Sequence, residues 1–177
     1  MKKMVMVLLA TLILAACGDN EADPKELSVE EAAKIIEDGT VGYEVVDGTY
    51  TEAENVSEEM EQQILAAFNE YLTALNEKEL EKFKEILAVE AEGFSYEEEI
   101  KYVSNVFEQY DTISRVSKEA YVIKYIEGKE AHILSNMDVT MVEKETNNEL
   151  KWQERTVMVF ILEDGKWKVS SVHARQI

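Results

Sequence analysis

The chain is expected to be an α+β protein in which three amphipathic helices precede an antiparallel sheet. Three observations carry this expectation. Apolar residues between Met60 and Phe107 recur at three- and four-residue steps, the period of a helix with one buried face. Beyond Asp111 the repeat drops to two, and Ile, Val and Tyr become frequent, as in half-buried strands. Turn dipeptides, above all Asp164-Gly165, separate the later strands. Helices first and a meander afterwards place the helices on one sheet face.

Taken in order, the first helix is carried by Met60, Ile64, Ala67, Phe68, Tyr71, Leu72 and Leu75. Asn76 can end it and cap the next, with Glu79 three residues on. Leu80, Phe83, Ile86 and Leu87 form the second apolar stripe. Ser95 with Glu98 reads as a capping box opening a third helix, which carries Tyr96, Ile100, Val103 and Phe107. Thr112 to Ile126 is the first strand, and Glu127-Gly128-Lys129 its turn. In the second strand Ala131, Ile133, Ser135, Met137, Val139 and Met141 alternate with His132, Leu134, Asn136, Asp138 and Thr140, giving one apolar and one mixed face. Leu150 to Glu163 and Trp167 to Arg175 are the last two strands, joined by the Asp164-Gly165 hairpin turn.

Composition narrows the function. Of 177 residues, 46% are apolar and 31% charged, enough for one principal core under a heavily charged surface. The formal charge of −19 argues against a nucleic-acid partner, since phosphate binding needs a basic face. One Cys and two His leave no intrachain disulfide and no Cys/His zinc set. No metal and no cofactor is expected.

The N-terminus concerns address. Lys2 and Lys3 precede an apolar run from Met4 to Leu14, too short to span a bilayer but sized for the hydrophobic region of a secretory signal. The ending Leu14-Ala15-Ala16-Cys17 resembles the lipobox of bacterial lipoproteins. That resemblance implies a signal peptide over 1–16, lipidation of Cys17, and a lipid anchor on the extracytoplasmic face of the cell membrane. Cleavage before Cys17 would leave sixteen bases against 37 acids, a formal charge of −21. Residues 17–55 then form an acidic linker. Within it, a short helix is expected after Ser28 and a strand-like stretch over Val41–Tyr50; whether these pack on the main domain, residues 56–177, is left open.

Three helices, long strands, and the ending Asp164-Gly165-Lys166-Trp167-Lys168-Val169 with His173 beyond it resemble the nuclear-transport-factor-2-like superfamily, in its SnoaL-like and kinase-association branches. The likeness covers about Val56 to Ile177. It implies a cone-shaped, curved antiparallel sheet wrapped on the helices, with a pocket at the open end. Members of this family include isomerases, dehydratases and non-catalytic binding domains. By the resemblance, Trp167 and His173 match the family's last-strand Trp and His, and Ser171 stands where kinase-association domains often have another His. The pocket Arg of those domains is replaced here by Met158, and no pair matches the Tyr and Asp of the steroid isomerases.

Two-residue alternation places Trp167, Val169, Ser171, His173 and Arg175 on one face of the last strand. Facing a cavity, His173 could act as a general base and Arg175 hold an anionic group. The plainer reading is preferred: Trp167 and Val169 are core, and His173 and Arg175 lie at a wet strand end. Leu150, Trp152, Glu154, Thr156, Met158 and Phe160 share a face of the preceding strand. Glu154 in that apolar row is a candidate for proton transfer, or simply emerges into solvent. Phe68 and Tyr71 are candidate pocket residues that equally suit a plain core.

No nucleophile elbow, phosphate loop or free Cys nucleophile is present. The expected role is therefore a membrane-anchored domain binding a small molecule, peptide or protein partner without catalysis. The first alternative is an isomerase- or hydratase-type enzyme using His173 and Glu154, which must then converge on one pocket. The second is a homodimeric assembly module. Val157, Val159 and Ile161 opposite Met158 and Phe160 would suit it, since a two-sided apolar strand needs two covers.

Overall fold

A computed structural model describes residues 51–177. The signal sequence, Cys17, and the short helix and strand expected between Ser28 and Tyr50 lie outside the described residues. The elements are α1 (Glu58–Asn76), α2 (Leu80–Ile86), α3 (Tyr96–Gln109), β1 (Tyr110–Ile126), β2 (Glu130–Glu143), β3 (Glu149–Glu163) and β4 (Lys166–Gln176). The strands pair antiparallel in the order β1-β2-β3-β4, an open curved meander with the helices against one side.

Ser57 starts α1 by accepting the Met60 N–H at 3.3 Å, and Glu58, Glu59 and Glu61 favour the positive end of the helix dipole. Its buried stripe holds Ile64, Ala67, Phe68, Tyr71, Leu72, Ala74 and Leu75. Asn76 ends α1 but does not cap α2, whose cap is Glu79. The Asn76 side chain instead clamps β1: its Oδ1 accepts the Arg115 N–H at 2.7 Å and its Nδ2 donates to the Arg115 carbonyl at 3.0 Å. Lys78, in the left-handed region at φ 56°, sends its Nζ to the Tyr110 carbonyl at 2.7 Å. Ser95 does cap α3 by position, without the expected side-chain bond. Upstream of α1, Ala53 N–H donates to the Val122 carbonyl at 2.8 Å and Asn55 Nδ2 to that of Tyr125 at 3.1 Å, so residues 53–55 also lie along β1.

Asp164 and Gly165, both at positive φ, make the tight turn into β4. The β3–β4 register then shifts: Phe160 faces Val169, but Val159 faces Ser171, leaving Ser170 as a bulge. The segment after α2 holds that bulge from outside the sheet. Ala88 N–H donates to the Val169 carbonyl at 2.9 Å, Glu92 N–H to Ser170 Oγ at 3.1 Å, and Gly93 N–H to the Ser170 carbonyl at 3.0 Å. A Cβ on Gly93 would fall 2.3 Å from the Ser171 Cβ, so only glycine permits this approach.

The bulge overturns one expectation. Trp167 and Val169 face the helices, whereas Ser171, His173 and Arg175 pair with Val159, Val157 and Arg155 on the outer side. Alternation alone cannot see this, because one inserted residue reverses the faces of everything after it. The main core lies between helices and sheet and includes Phe68, Phe83, Ile133, Met158, Phe160 and Val169. A smaller cluster of Ile123, Leu134 and Val157 sits on the outer side.

Candidate functional site

Glu154 is the natural starting point, because a carboxylate in an apolar row must find partners or be hydrated. It is only 4% exposed, so hydration at a strand end is not the explanation. Its row on β3 faces the helices. Oε1 accepts from Arg115 Nη1 at 2.5 Å and from Thr156 Oγ1 at 3.3 Å, and Oε2 accepts from Trp152 Nε1 at 2.9 Å. Arg115 reaches across from β1, two strands away, where its row runs through Val139 to Trp152. The Asn76 clamp holds its backbone. The pair is thus fixed from below by the sheet and from the side by the end of α1.

Tyr71 of α1 completes the site. Its ring lies against Phe83, with centroids 5.6 Å apart. Its hydroxyl is pushed up to about 12, mainly by burial; Arg115 pulls it down, while Glu99, Glu154 and Tyr102 push it up. Glu99 of α3 is itself raised by burial. A half-buried carboxyl, a protonated phenol and a paired guanidinium therefore share one end of the helix-facing side. Arg115 keeps 25% of its side chain exposed, and Glu154 takes a bond from one of its two terminal nitrogens, Nη1.

The arrangement holds charge better than it moves protons. Three donors engage the two Glu154 oxygens, Arg115 and Thr156 on Oε1 and Trp152 on Oε2. The structure brings Tyr71, Trp152 and Glu154 together on the helix-facing side, with Phe68 and Trp167 buried in the same core. Trp167 lies beside Tyr125, ring centroids 6.3 Å apart, and its buried Nε1 has no hydrogen-bond partner among the described residues. Ser171, His173 and Arg175 are not brought to this site. The required meeting of His173 and Glu154 therefore fails: the sheet lies between them. Arg115 is the residue that strand reading missed. Its signal was a lone basic residue in the Ile113, Arg115, Ser117 row, matching a lone acid in the row of Glu154.

The outer side carries a second polar group. His132 is buried and its Nε2 meets Glu130 Oε1 at 2.8 Å, with Lys124 Nζ at 3.1 Å from the same oxygen. Burial holds the imidazole below its usual range against the opposing pull of Glu130, and its Nδ1 has no hydrogen-bond partner among the described residues. Among the described residues no group of three His, Cys, Asp or Glu side chains is placed to hold a metal, and no helix is long and apolar enough to cross a membrane.

No curated protein matches the sequence. Among solved structures, a Novosphingobium aromaticivorans protein provisionally assigned as an aromatic ring hydroxylase superposes with a TM-score of 0.64 at 13% identity, over 70% of this chain and 92% of its own. Hexachlorocyclohexane dehydrochlorinase LinA-type3 from Novosphingobium barchaimii gives 0.56 at 14% identity, over 65% and 84%. A nuclear transport factor 2-like superfamily protein from Salmonella enterica gives 0.58 at 14% identity, over 65% and 89%. Identities this low establish a shared fold and leave chemistry to the site. The SnoaL-like domain family matches residues 64–174, more than half of the chain, and the chain therefore belongs to that family.

Proposed function

We propose that this protein is a lipid-anchored extracytoplasmic binding protein whose SnoaL-like domain takes a small ligand beside Arg115 without transforming it. The observation that carries the binding reading is the Glu154 carboxylate, both oxygens of which are held, by Arg115, Thr156 and Trp152, and which the sheet separates from His173. A ligand acceptor would meet the Arg115 donors that Glu154 does not take, and an apolar body would lie against Trp152. Anchoring rests on Leu14-Ala15-Ala16-Cys17, and the acidic stretch after it would keep the domain away from an anionic bilayer surface.

Trp152 supplies the test. In full-length protein carrying Trp167→Phe, it is the one remaining indole. Its emission should respond to members of a panel of small organic carboxylates, phosphates and neutral analogues, and Arg115→Lys should weaken the response to the anionic ones. A panel that leaves the emission unchanged removes this reading. Labelling of the protein by radioactive palmitate in a bacterial host, lost in Cys17→Ser, tests the anchor.

An elimination-type enzyme is the second reading. It is favoured by Tyr71, Arg115 and Glu154 sharing the helix-facing site, and by a structural relative being a dehydrochlorinase. Turnover of a chlorinated or hydroxylated cyclic substrate, abolished by Glu154→Gln, would replace the binding reading.

A further inference from the structure

On the outer side, Arg155 and Arg175 stand directly opposite each other in the β3–β4 ladder. Like charges in that relation repel, and strands normally avoid it. In a chain with 37 acids, neither arginine has a carboxylate within ion-pair distance among the described residues. Arg155 Nε donates to the neutral Asn136 Oδ1 at 3.0 Å. Glu119 lies on the far side of Asn136 in the same row. It is occupied by Asn136 Nδ2 at 2.7 Å and Tyr121 Oη at 2.9 Å, and its carboxyl is held below the usual range by those two bonds first and by Arg155 least.

Beside the two arginines is a cavity of about 510 Å³. Leu134, Val157 and Ile177 give it an apolar wall, with His173 at its side. Leu134 and Val157 belong to the outer cluster and are backed by Ile123. Two facing guanidiniums with no ion-pair partner among the described residues and an apolar wall in one cavity fit a ligand that is anionic at one end and hydrocarbon at the other.

We propose that this cavity binds a small organic carboxylate, its carboxylate bridging Arg155 and Arg175 and its apolar body lying on Leu134 and Val157. Guanidiniums suit the role because their planar forks bind carboxylates bidentately. The site is separate from the one beside Arg115, since the sheet divides them.

Benzoate titrated into the full-length chain in non-ionic detergent, followed by calorimetry, tests the proposal. Benzoate should bind, and Arg175→Gln and Arg155→Gln should each weaken that binding about tenfold or more. Benzyl alcohol and inorganic phosphate should bind more weakly than benzoate. Absence of benzoate binding overturns the proposal. So does an affinity that follows Arg115→Lys and ignores Arg175→Gln, which would move the ligand to the helix-facing side. A change in molecular mass by light scattering on Arg175→Gln, with benzoate affinity unaltered, overturns it in favour of a second copy of the chain on this face.

Discussion

The two sides of the sheet handle charge in opposite ways. Towards the helices, Arg115 and Glu154 form an ion pair with side-chain exposures of 25% and 5%, reinforced by neutral donors. On the outer side, Arg155 and Arg175 face each other with no carboxylate at ion-pair distance among the described residues, beside a three-residue apolar cluster. Burial separates the extremes, with Glu154 buried and Arg175 exposed. A charge removed from water must be paired and hydrogen-bonded, whereas an exposed one can be left for solvent or a ligand. One sheet thus presents a self-satisfied polar site on one face and an unsatisfied one on the other.

The largest expected effect breaks the helix-facing side. Arg115→Met should cost about 3–5 kcal/mol in urea unfolding, because Glu154 is left buried without its partner. The double change Arg115→Met with Glu154→Leu should recover most of that loss. A single variant as stable as the parent would show that the pair is not buried in the sense argued. Next comes the boundary between the two sides: Gly93→Ala should destabilise by about 1–3 kcal/mol, since its Cβ would overlap Ser171 and push on the bulge. Thermal unfolding monitored by circular dichroism is sufficient to see it.

The two sides should also answer pH at opposite ends. Tyr71 is raised from 10.0 to about 12, so the folded chain keeps a proton that the unfolded chain releases. Stability is intact below pH 10 and declines as pH climbs towards 12, and Tyr71→Phe should flatten that decline. His132 is lowered from 6.5 by burial, so there the unfolded chain binds a proton that the fold resists. Stability should fall as pH drops below 6.5, and less steeply in His132→Gln, as urea midpoints across the range would show. The smallest effect belongs to the exposed arginine. Arg175→Gln should stay within about 0.5 kcal/mol of the parent in the absence of anions, so any larger loss would mean that Arg175 has a structural partner.

Much of the fold was legible because its signals are local. The period of α1, the alternation of β2 and the Asp164-Gly165 turn each depend on neighbouring residues, and each appears where expected. Asn76 shows the limit. Its type and position were right for a helix end, but its side chain serves β1, a strand 39 residues away in sequence. The site was half legible: Glu154, Tyr71 and Trp152 could be read from their rows, while Arg115 is significant only because β1 and β3 lie two strands apart in one sheet.

The sequence by itself determined the class of fold, the order of its elements and the excess of negative charge, since these follow from composition and from periods of 3.6 and 2. Only the tertiary structure decided which charges are paired and which face His173 and Arg175 occupy. The reason is the bulge at Ser170. It is held by backbone contacts from Ala88, Glu92 and Gly93, and it reverses every side chain that follows on β4. Contacts made across 78 residues leave no trace in the spacing of neighbours.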